Sequence, residues 1–550
     1  MSHVFGIDLG TTYSCIAYLN QYGNADVLKN SEGEHTTPSV VFFESKENVV
    51  VGKEAKATVE LEPDKTVQFI KRKIGKDNDK VSVNGITYSA PEVSAYILRK
   101  LVKDANDELL QNGIIQPGQE VKNVVITCPA YFGMNERQAT KNAGELAGLN
   151  VLNIINEPTA AAISYGVSGA SKKETVLIYD LGGGTFDITV MNIDGADITV
   201  VCTGGDDTLG GKDWDEALMN YVMERYEEET GEDLSEDPDA VASLYVDVEN
   251  WKKALSTRES VKISVNGPGG RFREELSREK YEQITAHLLE RTKNKLDEML
   301  RVAAKQGYPM NRIDKVLLVG GSSRMPQVAA MLQNDYHVTP SLQDPDEAVA
   351  KGAAIYAGNQ QQYHDFVAQE AAKQGKTVEE LEEENLQTGA LDRAYLRLAP
   401  KASGAMKLSI TNVLSRTYGV GVLDGDDYVI SNLLMINSKL PATATGKFYT
   451  RVDNQHGVDI EVFESKSTEK YIQIDGRTPL TVVKMTFSAP VPRGTMVQLT
   501  YMLDNSGILH ISAEEELYHS KLDTTFALSN QMSEQEMRIA GIRLNNANVE

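Results

Sequence analysis

Hydrophobic and polar positions change rhythm twice along the chain. Up to about residue 358, apolar runs of strand length alternate with segments of helical period. "TVLIYD" and "VKNVVITCPAYF" read as buried strands. "NERQATKNAGELAGL" and "PDAVASLYVDVENWKKALST" read as helices, the second charged along one face. Such alternation predicts an α/β domain over 1–358. Residues 359–406 differ. "GKTVEELEEENLQTG" opens with the spacing of a capping box, Thr377 to Glu380, and continues into an acidic run, so an exposed helix is expected, followed by a loop at "LAPKASGAM". From 407 to 528 short alternating segments separated by turn residues, such as "YGVGVLDGDDYVI", "GVDIEVFES" and "MVQLTYMLDNSGILHISAEE", predict an antiparallel β-sandwich. Residues 529–550 begin one more helix and stop.

Within the first region one pattern occurs twice. "GIDLGTTYSCIAYLN" starts at Gly6, and "IYDLGGGTFDITVMNI" starts at Ile178. Both are an apolar run, Asp-Leu-Gly, a turn of small residues, and a second apolar alternation, with Asp8 and Asp180 in the same place. An internal duplication of one strand–turn–strand unit is expected. Three consecutive glycines, Gly182, Gly183 and Gly184, are costly in ordered backbone, because glycine loses the most freedom on folding. A bare turn does, however, point amide N–H groups into one concavity that can hold phosphate oxygens. Thr11, Thr12 and Thr185 add hydroxyl donors. Asp8 and Asp180 could hold a divalent cation, directly or through its waters. Neither copy has the form of the GxxxxGK[ST] or GxGxxG loops. Each copy alone could be an ordinary glycine-rich hairpin; the match between the two favours the phosphate reading.

Composition excludes more than it identifies. A length of 550 residues suggests three or four structural units of ~100–200 residues each. The net charge of −24 argues against nucleic acid as a main partner. Cys15, Cys128 and Cys202 are too scattered for a metal site or a disulfide framework, which fits a reducing compartment. No run approaches ~18 apolar residues, so no membrane partner is expected, and "MSHVFGIDLG" carries no basic apolar leader. A cytoplasmic location is the expectation.

"GIDLGTTYS", "PAYF…RQAT", "INEPTAAAISYG", "DLGGGTFD", "LVGGSSRMP" and "DPDEAVAKGAA" occur in this order. Together they resemble the nucleotide-binding domain of the heat shock protein 70 chaperones, and the chain looks like a divergent bacterial member. "DNQHGVDIEVFES", "APVPRG" and "DNSGILHISA" are similar to that family's substrate-binding sandwich. The resemblance covers nearly everything except 359–406. It implies a duplicated, two-lobed, actin-like ATPase domain, ATP or ADP with Mg²⁺, and K⁺ as a further candidate ion. Extended apolar peptides, a J-domain co-chaperone and a nucleotide exchange factor are the implied partners.

By resemblance, Gly10, Thr11, Thr12 and Tyr13 match the first phosphate loop, and Gly182, Gly183, Gly184 and Thr185 the second. Lys71 matches the lysine that helps place the attacking water. Asp8, Asp180 and Glu157 match the carboxylates that position metal and water, and Asp187 a further acid beside them. Glu249, Lys252, Lys253 and Ser256 match the adenosine-clasping helix, and Gly320, Gly321, Ser322 and Arg324 the second adenosine loop. Gly211 and Asp346 complete the implied nucleotide contacts, Asp346 near the ribose. Lys253 stands where the family has arginine, so weaker hold on the base is expected. On its own, Lys71 would read as a solvated lysine, and Glu157 as an acid opening a helix with Pro158 at its first position.

Three departures qualify the resemblance. The segment before the sandwich, "MKLSITNV", offers Leu408, Ile410 and Val413 but no acid, so weak coupling between nucleotide and peptide is expected. Residues 359–406 stand where the family has a brief connection. The helical lid is reduced to a stub over 529–550, so peptide binding should be fast and micromolar or poorer. An ATP-dependent chaperone is the first reading. The alternative is an ATP-holding, weakly hydrolysing scaffold for one dedicated partner.

Overall fold

The computed structural model describes residues 3–76, 80–167, 173–342, 344–378, 380–381, 391, 394–395, 408–425, 427–504, 507–526 and 532–550. The duplicated pattern folds as two matching hairpins. Val4–Asp8 pairs antiparallel with Tyr13–Leu19, placing Asp8 opposite Cys15. Glu174–Leu181 pairs with Phe186–Asp194, placing Asp180 opposite Asp187.

The likeness runs beyond the hairpins. The first strand of each pairs in parallel with a later strand, Asn123–Cys128 or Lys315–Val319. Each of those pairs in parallel with the next, Asn150–Asn156 or Ser341–Leu342. The second strand of each hairpin continues antiparallel into Ala25–Val27 or Asp197–Asp206. Two sheets thus share one strand order. Strands such as Val176–Leu181 are buried throughout, as the continuous apolar runs require when both faces are covered.

Two helices, Glu157–Val167 and Ala348–Gln374, share an apolar core with strands of both sheets. Their runs of alanine let backbones approach closely. A methyl group on Gly352 would fall 1.7 Å from the Ala160 carbonyl oxygen, so that crossing tolerates only glycine. Pro158 is the second residue of its helix, which begins at Glu157 itself.

The sandwich forms as expected. A five-stranded sheet contains Thr417–Asp424, Asp427–Leu434 and Gln455–Ser465, and a four-stranded sheet contains Met496–Leu503 and Leu509–Glu515. Val462, Tyr501 and Ile511 are buried between them.

Two sequence expectations change. The boundary at 358 falls inside the helix Ala348–Gln374, which continues for four turns beyond it. Val367 and Ala371 on that extension pack with Leu381 and Leu391 in a small core of their own. Beyond its C-cap Gly375 the expected capping box is present: the Glu380 amide donates to the Thr377 hydroxyl at 3.2 Å and the Thr377 amide to the Glu380 carboxylate at 2.9 Å. The rest of the expected acidic helix, 382–389, and the loop at 398–406 lie outside the described residues.

The second change concerns the C-terminal helix, Glu534–Asn546. It lies against the helices Ala90–Gln111 and Met134–Leu146 of the first region, where Ala540 and Leu544 are fully buried. Asn548–Val549 then pairs in parallel with the strand Asn48–Val51. The helix and strand at 534–549 therefore cap the α/β region.

The segment before the sandwich also docks. Ser409–Thr411 adds a parallel strand beside Asp197–Thr199, and Leu408, Ile410 and Val413 pack into the core shared by the two sheets. The sandwich itself touches the α/β region: the Ser415 hydroxyl donates to the Phe132 carbonyl at 3.0 Å, and the Thr203 amide to Asn437 at 2.9 Å. Among the described residues no helix is long and apolar enough to cross a membrane.

Candidate functional site

Both hairpin turns open into one cavity of about 660 Å³. It is lined by Asp8, Gly10, Thr11, Thr12 and Tyr13 from the first turn, and by Asp180, Gly182, Gly183 and Thr185 from the second. The turns interlock. A methyl group on Gly183 would lie 1.7 Å from the Thr12 hydroxyl oxygen, and one on Gly184 would lie 2.3 Å from the Thr11 side chain. Bare backbone at the turns is what permits the contact. The buried Thr12 hydroxyl has no hydrogen-bond partner, a donor available to a phosphate oxygen.

Lys71, Glu157, Glu249, Lys252, Lys253, Ser256, Gly320, Gly321, Ser322, Arg324 and Asp346 also line the cavity. Gly184, Gly211 and Asp187 sit one layer behind. The Gly184 carbonyl accepts from Arg72 Nε at 2.8 Å, and the Gly211 carbonyl from Lys252 Nζ at 2.9 Å. Gly320 has φ of +79°, and a methyl group there would lie 2.5 Å from Asp180 Oδ1, so both conformation and space exclude a side chain.

The electrostatics centre on Lys71, held by a short helical turn at Ile70–Arg72. Its ammonium meets Glu157 at 2.5 Å, with both side chains buried. Burial works against that charge, but Glu157 and Asp8 outweigh it and raise the Lys71 pKa. Burial pushes the Asp8 carboxyl up to about 7, helped by Glu157 and opposed by Lys71. Burial and Glu157 likewise hold Asp180 and Asp187 well above the carboxylate range. Such a crowd of carboxylates is poised for added positive charge.

Asp187 Oδ1 is buried without a partner. Among the described residues, no three carboxylate, histidine or cysteine side chains converge as a metal cluster. Mg²⁺ suits this arrangement, because it keeps several waters and takes one or two carboxylates together with substrate phosphates.

At the far end, Glu249 gathers two cations, Lys56 at 2.5 Å and Lys253 at 2.7 Å, and accepts from the Tyr13 hydroxyl at 3.2 Å. Burial alone would raise its pKa; the two lysines bring it down to about 2. Lys253 lies over the Tyr13 ring, 5.0 Å from its centroid, so its head is engaged before any base arrives. Arg324 pairs with Asp346 at 2.6 Å.

Two contributors escape the sequence reading. Lys56 comes from a helix with no motif, and Arg72 bridges the Gly184 carbonyl and Asp213 at 2.8 Å. Arg72 could have been suspected as the neighbour of Lys71; Lys56 carried no signal.

The family model described as Hsp70 protein matches residues 4–370 and 396–543. The chain is 36% identical over 522 residues to the chaperone protein DnaK of Thermosipho melanesiensis, covering 93% of this chain and 78% of that one. It is 35% identical to the chaperone protein DnaK of Thermotoga neapolitana and to that of Thermosipho africanus, with the same shares covered.

Proposed function

The chain belongs to the Hsp70 family, and on that premise we propose how its residues carry out the work of an ATP-dependent molecular chaperone and ATPase. Residues 1–374 form the two-lobed actin-like nucleotide-binding domain, 375–413 an insertion and linker, 417–526 the peptide-binding sandwich, and Glu534–Asn546 the C-terminal helix. ATP lies in the cavity between the two glycine-rich turns. The turns Gly10–Tyr13 and Gly182–Thr185 hold its phosphates through the amides and hydroxyls left open there, the Gly10 and Gly182 amides being already bonded to Ser14 Oγ and the Thr185 carbonyl, while Glu249, Lys252, Lys253, Ser256, Gly320, Gly321, Ser322, Arg324 and Asp346 hold its nucleoside.

When bound, Mg²⁺ neutralises charge on the β- and γ-phosphates. Phosphoryl transfer to water depends mainly on positioning and charge neutralisation. Asp8, Asp180, Glu157 and Asp187 would hold the ion, directly or through its waters, and Lys71, oriented by Glu157, steadies the attacking water beside Thr185. The surplus of carboxylates over the Lys71 ammonium leaves room for K⁺ as a second cation. Extended apolar segments bind the sandwich by strand-like main-chain hydrogen bonds. A J-domain protein accelerates hydrolysis and an exchange factor releases ADP. Three free, buried cysteines suit a cytoplasmic location.

The observation that carries this reading is the convergence of the duplicated turns on the buried Lys71–Glu157 pair. Steady-state ATP turnover, measured alone and with a J-domain protein and an apolar heptapeptide, tests it. Turnover should be slow alone and rise with both additions. Tight ATP binding without turnover under any condition would sink this reading.

A further inference from the structure

The helix Met134–Leu146 of the α/β region begins without a cap of its own. Its N-cap is Gly133, which offers no side-chain acceptor. The first amides of a helix need partners, and the end carries partial positive charge. The missing acceptor comes from the other domain. Glu464, on the sandwich strand Gln455–Ser465, places its carboxylate over this helix end, facing the Met134 amide. A methyl group on Gly133 would lie 2.7 Å from Glu464 Oε1. Arg416, at the entry to the sandwich, lies between Glu464 and the helix. Its Nε is 3.3 Å from Glu464 and its Nη2 3.4 Å from Glu136, on the helix's first turn. All three side chains are under 20% exposed, the arginine at 9%.

We propose that Glu464 caps the Met134–Leu146 helix in trans, with Arg416 as its counter-ion, and that this buried contact sets how firmly the sandwich docks on the nucleotide-binding domain. The inference rests on the chaperone reading only for what docking regulates. It supplies an interdomain attachment in a chain whose linker lacks an acid.

The other charged and titratable groups near Glu464 are few. Tyr418, on the adjacent strand, hydrogen-bonds it. Arg137, on the helix, turns instead to the Phe132 carbonyl and Asn156. Lys466, on Glu464's own strand, turns to Asp207 at 3.4 Å. One guanidinium therefore faces two carboxylates in a buried place. Burial, opposed by Arg416 and reinforced by Glu136, pushes Glu464 up to about 7. Undocked, the carboxyl is solvated and takes an ordinary value near ~4.3. The docked state therefore binds a proton that the undocked state does not. Docking should strengthen as pH falls from 8 to 6, by about tenfold in the docked-to-undocked ratio, and weaken as pH rises through 7.

The test uses the full chain with dyes on cysteines introduced at the exposed Glu229 and Lys484, the native cysteines being buried. Energy transfer between them reports docking and needs no ATP turnover, so failure of this inference and failure of the chaperone reading are separable. Arg416→Met removes the counter-ion and should lower the docked-to-undocked ratio at least tenfold at pH 7.5. Glu464→Gln leaves a neutral pair of Arg416 and Glu136, and should keep docking while flattening its response between pH 6 and 8. Gly133→Ser gives the helix its own cap and crowds Glu464, so it should weaken docking without loss of helix. Thermal melts followed by circular dichroism identify any variant that fails to fold. Wild-type docking in folded Arg416→Met, or an unchanged pH response in Glu464→Gln, would overturn the proposal.

Discussion

Lys71 shares one ammonium among several buried carboxylates, and its substitution separates binding from chemistry. Many backbone amides face the phosphates, so Lys71→Ala should leave ATP affinity within a few-fold. Turnover should fall at least ~100-fold, about 2.7 kcal/mol of transition-state stabilisation. Single-turnover hydrolysis beside a binding titration checks this, and equal rates would remove Lys71 from the chemistry. Asp8→Asn and Asp180→Asn each delete a charge from the metal side. Both should weaken Mg·ATP far more than Mg-free ATP in calorimetric titrations, and an equal loss in EDTA would assign these acids a structural role. Asp8 and Asp180 were legible because each sits in a turn written twice; Lys71 read alone is a solvated lysine and was singled out only by the family resemblance. Lys56 was not legible. It reaches Glu249 from 193 positions away in sequence, through tertiary closure alone.

At the scale of elements, period and caps were readable but docking partners were not. The C-terminal helix announced itself with Ser533 and Glu536, which form a reciprocal capping box. Nothing in its apolar stripe named the surface it would cover. The extension past residue 358 did carry a signal. Tyr363, Phe366, Val367 and Ala371 keep helical spacing, and the change in composition masked it. The C-terminal helix is held by Leu544 in the core, by Arg543 against Glu92 at 3.3 Å, and by Lys103 to the Val549 carbonyl at 2.8 Å. Leu544→Ala removes a fully buried side chain, a change that costs ~2–5 kcal/mol in well-packed sites. Amide exchange over 534–546 should accelerate at least tenfold while the sandwich strands keep their protection. Unchanged exchange there would show that the polar contacts hold the helix without the apolar one.

For the whole molecule, the decisive connection is the segment that joins nucleotide and peptide sites. An effector can shift a distant affinity only through a state that both sites bias. The linker lacks the acid expected of its family, which argued for weak coupling. It nevertheless docks by other means, adding Ser409–Thr411 to a sheet edge and packing the half-buried Ile410 against the core beneath both sheets. A charge at that half-buried position loses the apolar contact and is costly to desolvate without a partner, so Ile410→Asp should release the linker while leaving both end domains folded. Peptide release from the labelled heptapeptide complex, followed by stopped-flow fluorescence on ATP addition, then reads the coupling directly. In the variant, ATP should change the off-rate by no more than about twofold, with peptide affinity in the absence of nucleotide kept within a few-fold. In the native chain, acceleration within about tenfold would bear out the weak coupling expected from the missing acid. A hundredfold acceleration would show that the apolar strand and the Glu464 contact transmit the signal without it. If Ile410→Asp retained the native acceleration, the signal would have to cross the direct seam between the domains, at Ser415, Asn437 and Arg416, and the linker would be a tether only.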